Sequence, residues 1–198
     1  MKKSILIILL TTLVMGVSAQ YEFDLGLKAG LNNSKITVNS DNYDPSTILN
    51  YHFGAFARIN LNYLYIQPEA YYSSKGGDIE EIVSSNPLQT VSSFNYDVID
   101  VPLLLGVKII NEEAINLRIM AGPVFSFITD SSIETNDSRF SSTYFKDRFF
   151  GWQYGIGADF LFLTFDARIE NSAGNIYSSS ALNSKSNTLL LTLGIKLL

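Results

Sequence analysis

Apolar and polar residues alternate strictly along much of this chain. In the segment LTFDARIEN (163–171), apolar residues at 165, 167 and 169 alternate with Asp166, Arg168 and Glu170. Because successive side chains of a β-strand point to opposite faces, this pattern predicts a strand with one apolar and one charged face. A soluble sheet would turn the charges to water, whereas a membrane barrel would turn them to its lumen.

The same alternation recurs in eight segments, and most of them have the roughly 9–11 residues that a tilted strand needs to cross a bilayer. The predicted strands are Glu22–Asn32, Tyr51–Leu61, Tyr63–Ser73, Tyr96–Ile109, Ile115–Phe127, Phe149–Leu161, Leu163–Asn171 and Thr188–Leu198.

Short and long connections also alternate along the chain. The short ones are Asn62, Ile110–Ala114 and Phe162, and the long polar ones are Asn33–Asn50, Ser74–Asn95, Ile128–Arg148 and Ser172–Asn187. Barrels inserted from the periplasm have tight turns inside and long loops outside. The sequence therefore predicts an all-β fold, an eight-stranded antiparallel up-and-down transmembrane β-barrel with both termini in the periplasm.

The two faces of the predicted strands differ sharply in composition. One face carries about 40 mostly apolar residues and no Asp, Glu, Lys, Arg or His, which is more than a narrow eight-stranded lumen can hold. We expect that face to meet lipid. The other face carries glycines and charges of nearly balanced sign, which favours paired side chains over a charge-selective pore. The predicted polar network of the lumen consists of Lys28, Arg58, Glu69, Asp100, Lys108, Arg118, Asp159, Asp166, Arg168, Glu170 and Lys196.

Aromatic residues gather near the ends of the predicted strands. Outer-membrane barrels carry aromatic girdles at both membrane interfaces, so we expect these side chains to face the lipid there. The set is Phe23, Tyr51, Tyr63, Tyr72, Tyr96, Phe127, Phe149 and Phe150.

Three prolines, Pro68, Pro102 and Pro123, fall within predicted strands. Each of them removes one backbone donor from the hydrogen-bond ladder. We expect local bulges at these three positions.

The N-terminus, MKKSILIILLTTLVMGVSAQ, has the three parts of a secretory signal peptide. Lys2 and Lys3 form a basic region, an apolar core follows, and Val17, Ser18 and Ala19 supply small residues for cleavage. The apolar stretch is shorter than the roughly 20 residues of a spanning helix. We predict a signal peptide over residues 1–19, export through the Sec pathway, and a barrel domain over residues 20–198.

Charge and cysteine content narrow the classes of function. Removing Lys2 and Lys3 from the 14 basic residues leaves 12 against 19 acidic residues, a net charge of −7. Nucleic-acid binding requires a basic surface, so we expect no nucleic-acid partner. The chain has no cysteine, and a closed barrel needs no disulfide to stabilise it.

Several motifs resemble one family of membrane proteins. They are LGLKAGLN (25–32), YIQPEAYYSSKGG (65–77), VIDVPLLLGVKI (98–109), IMAGPVFSF (119–127) and GWQYGIGADF (151–160). They resemble the outer membrane protein beta-barrel domain family of the Bacteroidota, often labelled PorT-like or porin-family. The resemblance implies a cell outer membrane location and an eight-stranded barrel, and the family shares no catalytic motif.

These observations lead to a function hypothesis without catalysis or cofactor. We expect a small integral outer-membrane protein with a side-chain-filled lumen and four long extracellular loops, serving envelope structure or surface binding. Its expected partners are outer-membrane lipid, the barrel-insertion machinery during assembly, and an extracellular ligand at the loops. Two alternative hypotheses belong to other functional classes: a narrow solute channel and a soluble lipocalin-like carrier.

His52, the only histidine, supports one further alternative. On the lumen side of the second strand it could act as the general base of a lipid-modifying enzyme, helped by a serine and an aspartate. No G-x-S-x-G motif accompanies it. A polar lumen residue near the rim is the simpler interpretation, and we expect no catalytic residue and no metal site.

Overall fold

The computed structural model describes residues 22–38, 43–81, 91–112, 114–134, 146–178 and 183–198. The predicted signal peptide over residues 1–19 lies outside them. No helix in this part of the chain is long and apolar enough to span a membrane. The strands are β1 (Glu22–Val38), β2 (Tyr43–Leu61), β3 (Leu64–Glu81), β4 (Val91–Asn111), β5 (Ile115–Glu134), β6 (Arg148–Phe160), β7 (Leu163–Ser172), β8 (Tyr177–Ser178) and β9 (Asn183–Lys196).

The strands form a closed barrel whose neighbours follow chain order. Each of β1 to β6 pairs antiparallel with the strand that follows it, and β7 pairs with β9. The barrel closes because β9 also pairs with β1, where Ala29 lies opposite Leu193. The two-residue β8 pairs with Asn183 and Ser184 of β9, beyond the residues that β7 covers. The wall therefore has eight strands, which confirms the predicted antiparallel up-and-down barrel.

One end of the barrel carries three tight turns. β2 and β3 are joined by Asn62 and Tyr63, β6 and β7 by Leu161 and Phe162, and β4 and β5 by residues 112–114. Asn62 and Leu161 have positive φ, 63° and 53°, as the first central residue of a tight hairpin turn requires. Short turns mark the periplasmic end of an outer-membrane barrel.

The strands continue well beyond the predicted bounds at the opposite end. β1 and β2 still pair at Lys35 and Thr47, and β3 and β4 still pair at Glu80 and Val91. Much of the sequence predicted as long loops is therefore strand. The pattern of an apolar outer face and a polar inner face ends there because no lipid surrounds the outer face, whereas the backbone ladder needs no particular side chain.

The apolar face points outward, as predicted. Leu103, Ile119 and Leu193 are 46%, 46% and 48% exposed at the barrel surface. The opposite face is buried in the lumen. An outward apolar face suits lipid and would be unfavourable in water.

The girdle prediction is wrong for two of its eight residues. Tyr96 and Phe149 are 1% and 8% exposed and point inward, where their rings meet edge to face with centroids 6.3 Å apart. Tyr96 shares the face of Asp100 in β4, so strand parity places it inside. The rings of Phe23, Tyr51, Tyr63 and Phe127 are exposed on the outer surface.

The three prolines leave the strand register unchanged, contrary to the expected bulges. Phe56 pairs with Glu69 and Ile59 with Ile66, so no residue is inserted across Pro68. The pairings on either side of Pro102 and Pro123 keep one register in the same way. The register shifts occur elsewhere, as between Asp97 and Val98. Each proline therefore interrupts the ladder locally without a bulge.

Glycines make room for large side chains inside the barrel. A Cβ at Gly106 would overlap the ring of Tyr65, and one at Gly157 would overlap Asp166 and crowd the guanidinium of Arg118. The lumen of an eight-stranded barrel is only just wide enough for its side chains. Glycine on one strand thus accommodates a bulky residue from its neighbour.

Candidate functional site

The candidate site is the charged interior of the barrel. Alternate residues of each strand point into it, so the wall positions every inward side chain at a fixed height and angle. Arg58, Arg118 and Arg168 are fully buried there, each at most 1% exposed. Buried charges of this kind persist where partners and hydrogen bonds compensate them.

The centre of the lumen is a chain of alternating charges. Glu69 accepts hydrogen bonds from the ammonium of Lys28 and from Nη1 of Arg168, the latter at 2.9 Å. Gln67 also donates to Glu69, from Nε2 to Oε1 at 2.6 Å. The Arg168 guanidinium lies 3.8 Å from Asp166, measured from Nη2 to Oδ2. One carboxylate therefore holds side chains of β1, β3 and β7 together.

The chain continues towards the periplasmic end. Nη2 of Arg118 lies 2.9 Å from Oδ1 of Asp166 and 2.9 Å from Oδ1 of Asp159. Asp159 is shared with Arg58, whose Nη1 donates to Oδ2 at 2.8 Å. The Arg58 guanidinium is also 3.6 Å from Asp24. Side chains of β1, β2, β5, β6 and β7 are thus joined across the lumen.

A second group of charges lies closer to the extracellular end. Nζ of Lys75 is 2.7 Å from Oδ2 of Asp100 and 2.5 Å from Oε1 of Glu170. Gln153 connects this group with the centre, because its Nε2 donates to Glu170 at 2.7 Å and its Oε1 accepts from Arg168 at 3.2 Å. The hydrogen bonds and ion pairs therefore form one continuous network.

Nine of the eleven predicted network residues take part in these ion pairs. Lys108 and Lys196 lie nearer the periplasmic end and form no ion pair with any residue that the structure describes. Lys108 is nevertheless buried, at 6% exposed. The charges in the interior are thus ion-paired, whereas two lysines near the periplasmic opening have no ion-pair partner among the described residues.

Lys75 is the important residue that the sequence interpretation missed. The sequence pattern predicts a loop at this position, because the predicted strand ends at Ser73. The signal was present in the alternation, since Glu69, Tyr71, Ser73 and Lys75 continue the same inward face. Tyr71 was also missed as a network residue: it lies under the ammonium of Lys28, 4.1 Å from the ring centroid, and its hydroxyl contacts Gln153.

His52 is buried in the lumen at 1% exposed. Its Nε2 lies 2.9 Å from the hydroxyl of Thr192, and its ring is 5.6 Å from that of Tyr71. Nδ1 has no hydrogen-bond partner among the described residues. A catalytic histidine of the triad type has an orienting acid on one ring nitrogen, and no carboxylate among the described residues is hydrogen-bonded to His52.

Above the charged network the interior becomes apolar. Ile36, Phe94, Val98 and Phe149 pack with Tyr96 and Ile176 in one buried cluster. The hydroxyl of Tyr96 lies 2.7 Å from that of Ser186. This apolar cluster lies on the extracellular side of the charged network, together with buried serines such as Ser184 and Ser186.

Comparisons with known proteins agree with this architecture. The solved structure of the outer membrane protein OprG from Pseudomonas aeruginosa is similar at a TM-score of 0.53 and 13% identity, covering 90% of this chain and 97% of that one. Neisserial surface protein A (NspA) gives a TM-score of 0.51 at 11% identity, covering 90% of this chain and 99% of that one. At such identities the likeness shows the fold alone. The search of curated proteins gave no match.

A family profile described as "Outer membrane protein beta-barrel domain" matches residues 18–178. The matched range includes the first seven long strands, so it covers most of the wall. The location predicted from the lipid-facing strands is confirmed: this is a small protein of the outer membrane. The PorT-like label within the family stays a prediction. The chain belongs to the outer membrane protein beta-barrel domain family.

Proposed function

We propose that this outer-membrane barrel is a non-catalytic protein whose closed interior supports a folded extracellular surface. The observation that carries the proposal is the continuous network of ion pairs and hydrogen bonds from Asp24 to Asp100. Arg58, Arg118 and Arg168 fill the lumen at 0–1% exposure. Such an interior favours rigidity over transport, because solutes would have to displace paired and buried charges.

The extracellular half supports a role in binding or in envelope structure. β1 to β5 continue beyond the bilayer and enclose the apolar cluster around Phe94 and Tyr96, so the hairpins have a core of their own. Their outward residues are polar and exposed, among them Thr37, Asp130 and Ser132. A rigid scaffold that positions variable hairpins is a common arrangement for binding surfaces.

The channel alternative is tested by solute flux. In proteoliposome swelling with a small sugar, we expect the purified barrel to give the rate of protein-free liposomes. Vesicles with a general porin provide the positive control. Swelling faster than the protein-free rate would contradict the closed interior and favour the solute channel.

The enzyme alternative is tested at His52. Because its Nε2 lies against Thr192 inside the lumen, we expect the purified protein to show no esterase or acyl-transfer activity with lipid substrates, and His52→Ala to leave this unchanged. Activity in the unmodified protein that disappears in His52→Ala would replace the proposal with a lipid-modifying enzyme.

A further inference from the structure

A polar recess of about 380 Å³ opens at the end of the barrel with the tight turns. This volume lies within the range of small-molecule pockets. Its lining comes from the start of β1, the end of β2, the turn that follows β2, and the end of β4. The lining residues are Glu22, Asn60, Asn62, Lys108 and Asn111.

Two buried polar groups in this recess lack partners among the described residues. Lys108 is 6% exposed, and its ammonium forms no ion pair there. Asn60 is 3% exposed; its Nδ2 donates to Oδ2 of Asp24 at 3.0 Å, whereas its Oδ1 accepts no hydrogen bond from this part of the chain. Buried polar groups are almost always paired, so the Lys108 ammonium is available to a ligand or to water, whereas Oδ1 of Asn60 is enclosed by the protein.

No carboxylate among the described residues lies within ion-pair distance of the Lys108 ammonium. Asp159 pairs with Arg58 and Arg118, and Asp24 pairs with Arg58 and Asn60. Glu22 stands at the exposed rim of the recess. The recess thus presents a cation at depth, an anion at the rim and amide groups between them.

We infer that the recess binds a zwitterionic ligand, an amino acid or short peptide with a free carboxylate and a free amine. The carboxylate enters first and pairs with Lys108, and the amine remains at the rim near Glu22. Charge-assisted bonds of this kind are the strong ones in polar sites. They replace the hydrogen bonds of the water that the ligand displaces.

The location narrows the source of such a ligand. The tight turns place the recess on the periplasmic side. Free peptides and the stem peptides of the cell wall share the required chemistry there. Binding to free peptide would indicate a soluble ligand, and binding to intact cell wall would indicate an anchoring contact.

The test uses the full protein in detergent micelles and three probes: dialanine, its C-terminal amide and its N-acetyl form. Calorimetric titration should show saturable binding of dialanine. Loss of the carboxylate in the amide should weaken binding by about tenfold or more, because a hydrogen bond to a charged group contributes more than one tenfold step. The N-acetyl form should bind with intermediate affinity, since only the rim contact is lost.

Variants assign the contacts to residues. Lys108→Gln should bind dialanine and its amide equally weakly, whereas Lys185→Gln, a lysine on the extracellular half, should bind as the unmodified protein does. If Lys108→Gln fails to fold, as judged by heat-modifiable mobility, Glu22→Gln serves instead, because it lies at the exposed rim. That variant should bind dialanine and N-acetyl-dialanine alike.

Either of two results would overturn the inference: no saturable binding of dialanine, or a folded Lys108→Gln that binds as tightly as the unmodified protein. Co-sedimentation with purified cell-wall sacculi distinguishes the sources. Pelleting that disappears when the stem peptides are removed supports a cell-wall ligand. Dialanine binding without pelleting supports a free peptide.

Discussion

At the scale of single residues, the interior depends on charges that each serve more than one partner. Lys75 pairs with both Asp100 and Glu170, and Glu69 pairs with both Lys28 and Arg168. Removing one member therefore deprives two buried neighbours of a charged partner. That cost is larger than the contribution of an isolated surface ion pair, which is about 0–1 kcal/mol.

Lys75→Met should lower the free energy of unfolding by about 3–5 kcal/mol, because Asp100 and Glu170 would remain buried without their cation. The measurement is urea unfolding of the protein in lipid vesicles. Lys185→Met provides the matched control, since Lys185 is exposed, and should change the stability by no more than about 0.5 kcal/mol. Equal losses in the two variants would show that Lys75 does not hold the two carboxylates.

Leu161 is a strained residue in the turn between β6 and β7. Its φ of 53° lies in the left-handed region, which costs a residue such as leucine roughly 1–2 kcal/mol, whereas asparagine adopts it more readily. Leu161→Asn should therefore raise the free energy of unfolding by about 1 kcal/mol relative to Phe162→Asn. The control fits because Phe162 is as exposed, at 57% against 53% for Leu161, and has no positive φ. A matching effect of both substitutions in urea unfolding would contradict the strain argument.

At the scale of elements, the polarity of the strands inverts where they leave the membrane. In β4 the inward residues change from Asp100 to Val98, Tyr96 and Phe94, while the outward residues change from Ile99 to Asp97 and Asn95. Within the bilayer the apolar face must meet lipid, and above it the same face would meet water. The lower part of β4 is therefore built as a membrane strand and its upper part as a strand of a soluble protein.

This inversion predicts different effects for the same substitution at two heights. Leu193→Arg should cost about 2–4 kcal/mol, because the side chain faces lipid near mid-bilayer. Leu49→Arg should cost no more than about 1 kcal/mol, although Leu49 is the more exposed, at 67% against 48%, since it lies at the extracellular boundary. Urea unfolding in vesicles measures both. A larger loss of unfolding free energy for Leu49→Arg than for Leu193→Arg would contradict the positions assigned to these residues relative to the bilayer.

The inversion also explains what the sequence could predict. Eight strands, their faces and the tight turns followed from alternation, because lipid imposes an uncharged outer face along β7 and the middle of β4. The extensions beyond Asn32 and Ser73 were missed, since outside the lipid a pleated ladder accepts many residue types. Lys75 was missed as a lumen residue because it lies in the extension of β3. The partners of each charge could not be predicted, because they depend on the barrel's strand register and on rotamers.

At the scale of the whole molecule, two layers close the barrel. The charged network fills the membrane-spanning part, and the apolar cluster of Ile36, Phe94, Tyr96, Val98, Phe149 and Ile176 lies on its extracellular side. One layer depends on ion pairs and the other on apolar packing. Loss of one central charge should therefore leave the apolar cluster in place. Arg118→Ala, which removes a partner of Asp159 and Asp166, should therefore weaken the charged network and leave the apolar cluster in place.

The most direct test of the closed interior is single-channel current in a planar bilayer. The unmodified protein should insert and give no stable openings, because the paired guanidinium groups of Arg58, Arg118 and Arg168 occupy the lumen. Arg118→Ala measured in the same salt shows whether charge pairing contributes to closure. Stable, well-resolved openings of the unmodified protein would contradict the account and identify the barrel as a narrow channel.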